Sequence, residues 1–396
     1  MINETSYALG ANRSCIRDLF EYGCQRAAVV GRENVYDYSL GNPSIPSPKA
    51  VNETICQVLA DTDSLAVHGY TSAVGDYGMR QAIADDLNAR YCAGAAAEDF
   101  FIMAGAAPEL VAVFRALAVP GSEILAVAPY FPEYKPFAEG AGFAFKVVPP
   151  DVPDFQIKLE AVEAMLTEKT QAIILNSPNN PSGVVYTREV LTALADLLSR
   201  KSEEFGHPIY VISDEPYREL AYDKEVPYLM DWYDNTLVCY SYSKTLSIPG
   251  ERMGYLAVCK RIRDFDDVMD ACSGAARALG HICASNLYQR VIERCVDVIA
   301  DVGYYKRNRD LLVGSLEAMG FTCAHPDGAF YLFMKCPIAD SMEFCEKAKE
   351  YELMLVPGHD FGVPEYLRVS YCVAYETIQN SLPAFQKLAE FYGLKG

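Results

Sequence analysis

Short, continuously apolar runs alternate with amphipathic stretches through the middle of the chain. Four runs, EILAVA at 123–128, AIIL at 172–175, IYVIS at 209–213 and LVCYS at 237–241, have the length and character of buried strands. Residues 188–198, which lie between them, repeat apolar positions at helical spacing. Continuous apolar strands separated by helices are typical of a mainly parallel sheet with both faces covered. We therefore predict an α/β domain in this region.

The last third of the chain mixes strands and helices more closely. A long helical stretch is predicted at 285–319, followed by strand-like runs at 329–335, 353–357 and 366–371 and by a final helix. This mixture indicates a separate, smaller α+β domain. A turn signal, Gly41-Asn42-Pro43, ends the amino-terminal segment. The predicted division is a segment 1–44 that joins the small domain, a large domain 45–284 and a small domain 285–396.

The composition is that of a folded, acidic protein. Of 396 residues, 51% are hydrophobic and 22% are charged, which excludes a disordered chain. Asp and Glu number 53 against 34 Lys and Arg, and the net charge of −19 disfavours nucleic acid as a partner because like charges repel. An anionic substrate would therefore need a local cluster of positive groups.

Other features predict a reduced, cytoplasmic protein without a metal. The thirteen cysteines include no C-x-x-C pair, and the five histidines show no ligand spacing. The longest apolar window, 101–119, is interrupted by Pro108, Glu109 and Arg115, so we expect no membrane span. The amino terminus is polar and lacks the apolar core of a signal peptide.

Polar residues follow three of the predicted strands. They occupy 176–183, 214–217 and 242–245. Because ligands of open α/β sheets bind beyond the carboxyl ends of the strands, we expect these residues to form one site. Lys244 is either an ordinary solvated lysine or a carbonyl nucleophile. Arg252 lies eight residues further on, and a nearby cation favours the uncharged, nucleophilic amine.

Four more candidates have two interpretations each. Asp214 either caps the next helix or faces a ring nitrogen, with the phenol of Tyr217 three residues on. Asn180 lies in a string that is ordinarily just a turn, and it becomes more than a turn only because it shares the position at a strand end. The small residues at 104–107 either begin an ordinary helix or expose N–H groups to a phosphate. Arg368 lies in a strand-like run and is either half of a structural ion pair or a carboxylate clamp.

Several nucleotide and hydrolase motifs are missing. The sequence has no G-x-G-x-x-G, no P-loop and no G-x-S-x-G. Residues 241–244 match the S-x-x-K signature of penicillin-recognising enzymes, but the S-D-N and K-T-G motifs that those enzymes require are missing too. A serine acyl-enzyme is therefore a weak alternative.

The ordered set of motifs resembles one family. G-N-P, Tyr-x₄-Gly, G-A-A, N-N-P-S-G, D-x-x-Y, S-x-S-K-x₇-R and a late arginine follow one another from Gly41 to Arg368. This set resembles the class I/II aminotransferases of the aspartate aminotransferase type, which are enzymes of fold type I that depend on pyridoxal 5′-phosphate (PLP). The resemblance implies a mainly parallel, seven-stranded-type sheet in a large PLP-binding domain, with a smaller α+β domain beside it.

The resemblance implies a catalytic role for three residues. Lys244 resembles the lysine that binds the cofactor covalently and then moves the substrate proton. Asp214 resembles the carboxylate that keeps the pyridine nitrogen protonated, so that the ring acts as an electron sink. Tyr217 resembles a phenol that, together with Asn180, hydrogen-bonds the phenolic oxygen of the cofactor.

The resemblance also implies anchors for the phosphate and the ring. Ser241, Ser243 and Arg252 resemble the phosphate ligands, assisted by N–H groups near Ala106 and Ala107. Ala107 departs from the more polar residue that is usual there, and Glu109 lies close to the phosphate end, where it either faces away or pairs with a cation.

The resemblance also implies contacts with the cofactor ring, with the substrate and with a partner subunit. Phe131 takes the place of the aromatic residue that stacks on the ring, where Trp or Tyr is more usual. Tyr70 resembles the tyrosine that reaches the phosphate of the partner subunit, which implies a homodimer with shared active sites. Arg368, Gly41 and Asn180 resemble the groups that bind the substrate α-carboxylate.

The predicted function is transfer of an amino group between an L-amino acid and a 2-oxo acid. Aspartate and glutamate are the default substrates by resemblance, and Arg277 is a candidate for binding a distal carboxylate, although it is equally a helix-surface arginine. The alternatives are a PLP-dependent carbon–sulfur β-lyase and a non-catalytic PLP-binding regulator. The regulator is disfavoured because regulators of this family carry an extra DNA-binding domain, whereas only about 40 residues precede the core here and the chain as a whole is acidic.

Overall fold

The computed structural model describes residues 1–11, 15–91 and 93–395, and within them a seven-stranded sheet forms the largest layer. The thirteen strands of the described residues are β1 (Tyr36–Asp37), β2 (Phe100–Met103), β3 (Glu123–Val127), β4 (Ala144–Val148), β5 (Thr170–Asn176), β6 (Tyr210–Asp214), β7 (Thr236–Ser241), β8 (Gly254–Val258), β9 (Thr322–Ala324), β10 (Tyr331–Lys335), β11 (Leu353–Met354), β12 (Val356–Pro357) and β13 (Tyr366–Ser370). The large sheet has the order β2-β8-β7-β6-β5-β3-β4. Its strands are parallel except β8, which runs antiparallel to both neighbours. The predicted α/β class with a mainly parallel sheet is confirmed.

Helices cover both faces of this sheet. The described helices are α1 (Glu4–Ala11), α2 (Cys15–Val30), α3 (Lys49–Asp61), α4 (Ser64–His68), α5 (Tyr77–Arg90), α6 (Ala106–Leu117), α7 (Tyr134–Ala141), α8 (Leu159–Met165), α9 (Arg188–Phe205), α10 (Tyr242–Thr245), α11 (Phe265–Ala278), α12 (Asn286–Glu293), α13 (Val302–Ala318), α14 (Ser341–Lys349) and α15 (Tyr375–Phe391). Side chains alternate across β3: Ile124 packs into the core beneath α6, whereas Leu125 packs into the core beneath α9. Burial on both faces explains why these strands are apolar throughout.

A second unit surrounds a four-stranded antiparallel sheet of order β12-β13-β10-β9. The helices α13, α14 and α15 cover it, and Leu316, Phe344 and Phe385 are buried in their shared core. The amino-terminal strand β1 pairs in parallel with β11, so the beginning of the chain packs with its end. This is the α+β arrangement predicted for the small domain.

The helical stretch predicted at 285–319 is two helices in the structure, so the prediction of one continuous helix was wrong. Val291 and Ile292 of α12 belong to the core of the large sheet, whereas Leu312 of α13 belongs to the core of the second unit. Asp301 caps the amino terminus of α13, because its side chain accepts a hydrogen bond from the Tyr304 N–H. The domain boundaries at 44 and 284 stay predictions.

The described residues contain neither a helix that could span a membrane nor a metal-binding cluster. None of the helices there is long and apolar enough to cross a membrane. The same residues contain no cluster of three or more His, Cys, Asp or Glu side chains placed to hold a metal ion.

Candidate active site

The polar ends of three neighbouring strands meet at one edge of the large sheet. Asn176 of β5 is in register with Asp214 of β6, and Ser241 ends the adjacent strand β7. A cavity of about 310 Å³ opens at this edge. Twelve of the residues singled out by resemblance line it: Gly41, Ala106, Ala107, Phe131, Asn180, Asp214, Tyr217, Ser241, Ser243, Lys244, Arg252 and Arg368.

Asp214 presents an unsatisfied oxygen to this site. The residue is 5% exposed, and its Oδ2 accepts a hydrogen bond of 2.5 Å from the Tyr134 hydroxyl. Its Oδ1 is buried and has no hydrogen-bond partner in the described part of the chain. Burial raises the pKa of Asp214 to about 7, against the opposing effect of the Tyr134 hydrogen bond. A protonated ring nitrogen would satisfy this oxygen and stabilise the carboxylate.

Lys244 lies in the short helix α10, directly after β7. Its Nζ donates a hydrogen bond of 2.6 Å to the carbonyl oxygen of Gly41. Burial lowers the pKa of Lys244 to about 8; Cys372 opposes the shift, and the cations Arg252 and Arg368 add to it. More of this amine than of an ordinary lysine is therefore uncharged near neutral pH, and the uncharged form is the nucleophile.

One end of the cavity has the donors that a phosphate requires. Gly105 precedes α6 with φ = 93°, and a Cβ there would lie 3.0 Å from an Nη atom of Arg252 and 3.5 Å from Ser241 Oγ. The twelve-residue helix α6 begins at Ala106, so its first N–H groups face this cleft. The hydroxyls of Ser241 and Ser243 are 2.8 Å apart. Two hydroxyls, a guanidinium group and a helix amino terminus together fit a phosphate.

Arg368 marks the other end of the cavity. It is 2% exposed, and its two Nη atoms donate to Asn180 Oδ1 at 3.1 Å and to the Ser39 carbonyl at 2.5 Å. Both of these hydrogen-bond partners are neutral, and the Nε of Arg368 has no hydrogen-bond partner in the described residues. No ion pair to Arg368 occurs within the described ranges. Burial lowers the pKa of Arg368. The structural ion pair left open by the sequence is therefore not formed, and the cation is available to a carboxylate.

Two residues named in the sequence analysis lie outside the cavity. Tyr70, in the loop after α4, is 87% exposed. Arg277 lies exposed near the end of α11. Neither lines the cavity formed by this chain, and their roles stay predictions.

Glu109 faces inward from the first turn of α6. It is completely buried, and neither carboxyl oxygen has a hydrogen-bond partner in the described residues. The missing Cβ of Gly254 leaves the space for it, because a Cβ there would lie 2.6 Å from Glu109 Oε1. Burial and the nearby Asp214 raise the pKa of Glu109 well above its ordinary value. Glu109 is not among the residues that line the cavity, which agrees with the expectation that it faces away, and no ion pair to it occurs in the described residues.

Sequence reasoning assigned no individual role to three polar residues of the site. Tyr134 binds Asp214, and Asn176 donates to the Asp214 carbonyl at 2.8 Å while its Oδ1 accepts from the Asn180 N–H at 2.6 Å. The hydroxyl of Tyr331 lies 2.9 Å from that of Tyr217. Asn176 directly follows the predicted strand 172–175 and lies in the polar run 176–183 expected at the site, although no role was assigned to it, whereas the tyrosines have no local signal.

A family profile described as aminotransferase class I and II matches residues 33–385. The chain belongs to this family. A solved structure of an amino transferase from Eubacterium rectale is 50% identical, covers 99% of both chains and superposes with a TM-score of 0.98. An aspartate aminotransferase of Thermotoga maritima is 31% identical over 90% of this chain and 92% of its own. An aromatic-amino-acid aminotransferase of Thermococcus litoralis is 28% identical over 95% of this chain and 96% of its own.

Membership in this family makes the protein a PLP-dependent aminotransferase of fold type I. The residues present fit that cofactor. Asp214 Oδ1 is a buried orphan acceptor for the pyridinium, Lys244 supplies the amine, and the cleft at Gly105 accommodates a phosphate between a helix terminus and Arg252.

Proposed function

We propose that this aminotransferase uses Lys244, Asp214 and Tyr217 as its catalytic residues. The observation that carries the proposal is the shared cavity of a depressed-pKa amine and an unpartnered buried carboxyl oxygen. Bound PLP supplies the electron sink for the substrate carbanion. Lys244 Nζ would hold the cofactor, and the same amine would take the proton from the substrate Cα.

We propose that the other lining residues bind and orient. Ser241, Ser243 and Arg252 hold the phosphate with the N–H groups of Ala106 and Ala107, and Phe131 stacks on the ring. Tyr217 and Asn180 bind the phenolic oxygen. Arg368 binds the substrate α-carboxylate with Asn180 and the backbone of Gly41, which orients the Cα proton toward Lys244.

We propose L-aspartate and L-glutamate as amino donors, with a 2-oxo acid as acceptor. The support is the name aspartate aminotransferase carried by relatives of Thermotoga maritima and Pyrococcus abyssi. Arg277 is the candidate for the distal carboxylate; because it is exposed on α11, it would reach such a group only in a neighbouring subunit. Other relatives are named for aromatic amino acids, so a substrate screen should include these.

We propose a homodimer in which Tyr70 reaches the phosphate of the partner subunit. Support comes from exposed apolar side chains around it, including Leu65 at 85% and Ile282 at 64% exposure. Asn286 holds these loops together by donating to the carbonyls of Ala66 and Gly69. Sedimentation velocity should give twice the chain mass of 43.8 kDa, and a monomer at micromolar concentration would contradict the proposal.

We propose a cytoplasmic location. Its support is the state of the cysteines, since all twelve that the structure describes carry free thiols, and such thiols are typical of a reducing compartment.

Borohydride reduction of the purified holoenzyme tests the central proposal. Reduction should attach the cofactor irreversibly to the peptide that contains Lys244, and mass spectrometry would locate it. A Lys244→Ala variant should bind PLP without a covalent link and should lose at least about 10⁴-fold in turnover, because both the nucleophile and the proton carrier are gone. A label on another lysine, or turnover in the variant, would contradict it.

A further inference from the structure

Two tyrosines line the cavity among the described residues, and the proposed mechanism uses Tyr217 but not Tyr331. It is the first residue of β10 and is 2% exposed. Its hydroxyl lies 2.9 Å from that of Tyr217, and a Cβ on Gly41 would lie 1.9 Å from its oxygen. The same Gly41 accepts the hydrogen bond from Lys244 Nζ. The phenol of Tyr331 therefore lies against Tyr217 and against Gly41, the residue that accepts the hydrogen bond from Lys244.

If Tyr217 donates a hydrogen bond to the cofactor, only Tyr331 can be the donor in the hydrogen bond between the two phenols. Each phenol carries one proton and can donate once. Burial raises the pKa of Tyr331 to about 12 and that of Tyr217 well above its ordinary value, so both are protonated at neutral pH. When Tyr217 donates to the phenolic oxygen of PLP, its proton is unavailable to Tyr331. Tyr331 must then be the donor in their mutual bond.

The ring of Tyr331 has a separate contact. The Arg368 guanidinium carbon lies 4.7 Å from the ring centroid, within the range of a cation–π interaction. The ring thus supports the guanidinium from one side, while Asn180 and the Ser39 carbonyl hold its Nη atoms. This contact does not involve the hydroxyl.

We propose that Tyr331 is a positioning residue with two separable roles: its hydroxyl directs and strengthens the donation of Tyr217 to the cofactor, and its ring holds Arg368 in place for the substrate α-carboxylate. The proposal rests on the proposed function of Tyr217 and Arg368. A donor whose oxygen accepts a hydrogen bond is polarised and donates more strongly. Loss of the Tyr331 hydroxyl should therefore weaken the bond from Tyr217 to the cofactor.

Two variants separate the roles. In Tyr331→Phe, the pH at which the visible absorption of bound PLP changes should rise, because weaker donation to the ring oxygen stabilises the deprotonated cofactor less. Its kcat should fall about fivefold, with KM for the amino acid within about twofold of wild type. In Tyr331→Leu, which also lacks the ring, KM should rise by a further factor of about 10.

A double variant tests the direction of the bond. Tyr217→Phe has no hydroxyl to relay the effect, so adding Tyr331→Phe to it should not move the spectral pH midpoint further. The matched control is Tyr222→Phe: Tyr222 also pairs with a phenol, Tyr371, at 3.0 Å, and its ring also lies 4.7 Å from an arginine, Arg309. That variant lies outside the cavity lining and should leave the spectrum, kcat and KM unchanged.

The results decide each role. An unchanged spectral midpoint and kcat in Tyr331→Phe, or additive midpoint shifts in the double variant, would overturn the role of the hydroxyl. Equal KM values in Tyr331→Phe and a folded Tyr331→Leu would overturn the role of the ring, and Tyr331→Met replaces Tyr331→Leu if the latter does not fold. Failure of the proposed function is distinguishable, because the wild-type enzyme would then carry no reducible cofactor at Lys244.

Discussion

At the scale of single residues, burial sets the chemistry of the site. Lys244, Asp214 and Arg368 each lie where water is largely excluded, and burial is the main cause of each pKa shift. The pKa shifts favour the neutral form of the Lys244 amine, and they make the charged form of the Asp214 carboxyl dependent on a cationic partner. The bound cofactor would supply the charged partners that these buried groups lack in the polypeptide.

Arg368→Lys should raise KM for the amino acid by about 10- to 100-fold, with a smaller effect on kcat. A lysine cannot reproduce the two-pronged contact with a carboxylate, nor reach Asn180 and Ser39 simultaneously. Steady-state kinetics with varied amino acid would measure this. Arg261→Lys is the control, because Arg261 pairs with Asp234 on the exposed surface, and its KM should stay at the wild-type value. A normal KM in Arg368→Lys would remove Arg368 from substrate binding.

At the scale of elements, the junction of α6 with β7 and β8 carries the phosphate end of the site. Gly105 and Gly254 let these elements approach closely, and the carboxyl of Glu109 fills the space that they leave. A side chain at Gly105 would crowd Arg252 and Ser241 beside the amino terminus of the helix, whereas one at Gly254 would crowd Glu109 and the Tyr240 carbonyl. The small residues around Gly105 are thus needed for packing as well as for exposing N–H groups.

Gly254→Ala should destabilise the protein by about 1–3 kcal/mol, because overpacked sites force backbone shifts. The added Cβ would lie 2.2 Å from the Tyr240 carbonyl oxygen and 2.6 Å from Glu109 Oε1. Urea unfolding would measure the change. Gly314→Ala is the matched control: this helical glycine has open space around it, and alanine there should stabilise by about 0.5–1 kcal/mol. Equal stability of the Gly254→Ala variant and wild type would contradict the packing argument.

At the scale of the whole molecule, the active site lies between the two sheets. Its wall combines strand ends of the large sheet with Tyr331 and Arg368 of the four-stranded sheet and Ile16 of the amino-terminal helix α2. Substrate and cofactor contacts thus come from different units, and the site exists only when both are folded and packed together. Loss of packing between the units should therefore affect cofactor and substrate binding together.

The cofactor-free protein should lose stability as the pH rises from about 4 to about 7. Asp214 has a pKa near 3.8 when unfolded and about 7 when folded, so the folded state binds the extra proton in this window. Asp214→Asn removes this contribution. Between pH 5 and pH 8, the free energy of unfolding of wild type should fall by about 2 kcal/mol more than that of the variant. Denaturant unfolding of both proteins at the two pH values would measure it, and parallel pH profiles would contradict the raised pKa.

Much of the fold and of the site could be predicted because both leave local patterns. Buried parallel strands are continuous apolar runs, and the groups proposed to act on the cofactor follow them within three residues, as Asp214 follows 209–213 and Lys244 follows 237–241. The break between α12 and α13 could not be read from helical spacing, because both halves are amphipathic but face different cores.

The sequence by itself indicated the α/β class through its apolar runs, and through its resemblance to a family it indicated the PLP-dependent chemistry and twelve residues that line the cavity, because apolar runs and an ordered set of motifs can both be read along the chain. Only the tertiary structure decided that Arg368 meets Asn180, 188 positions away, that Tyr134 binds Asp214, and that Tyr331 meets Tyr217. It also decided that Tyr70 lies outside the cavity of its own chain. Contacts of this kind depend on how sheets and helices pack, and no local pattern of residues specifies that packing.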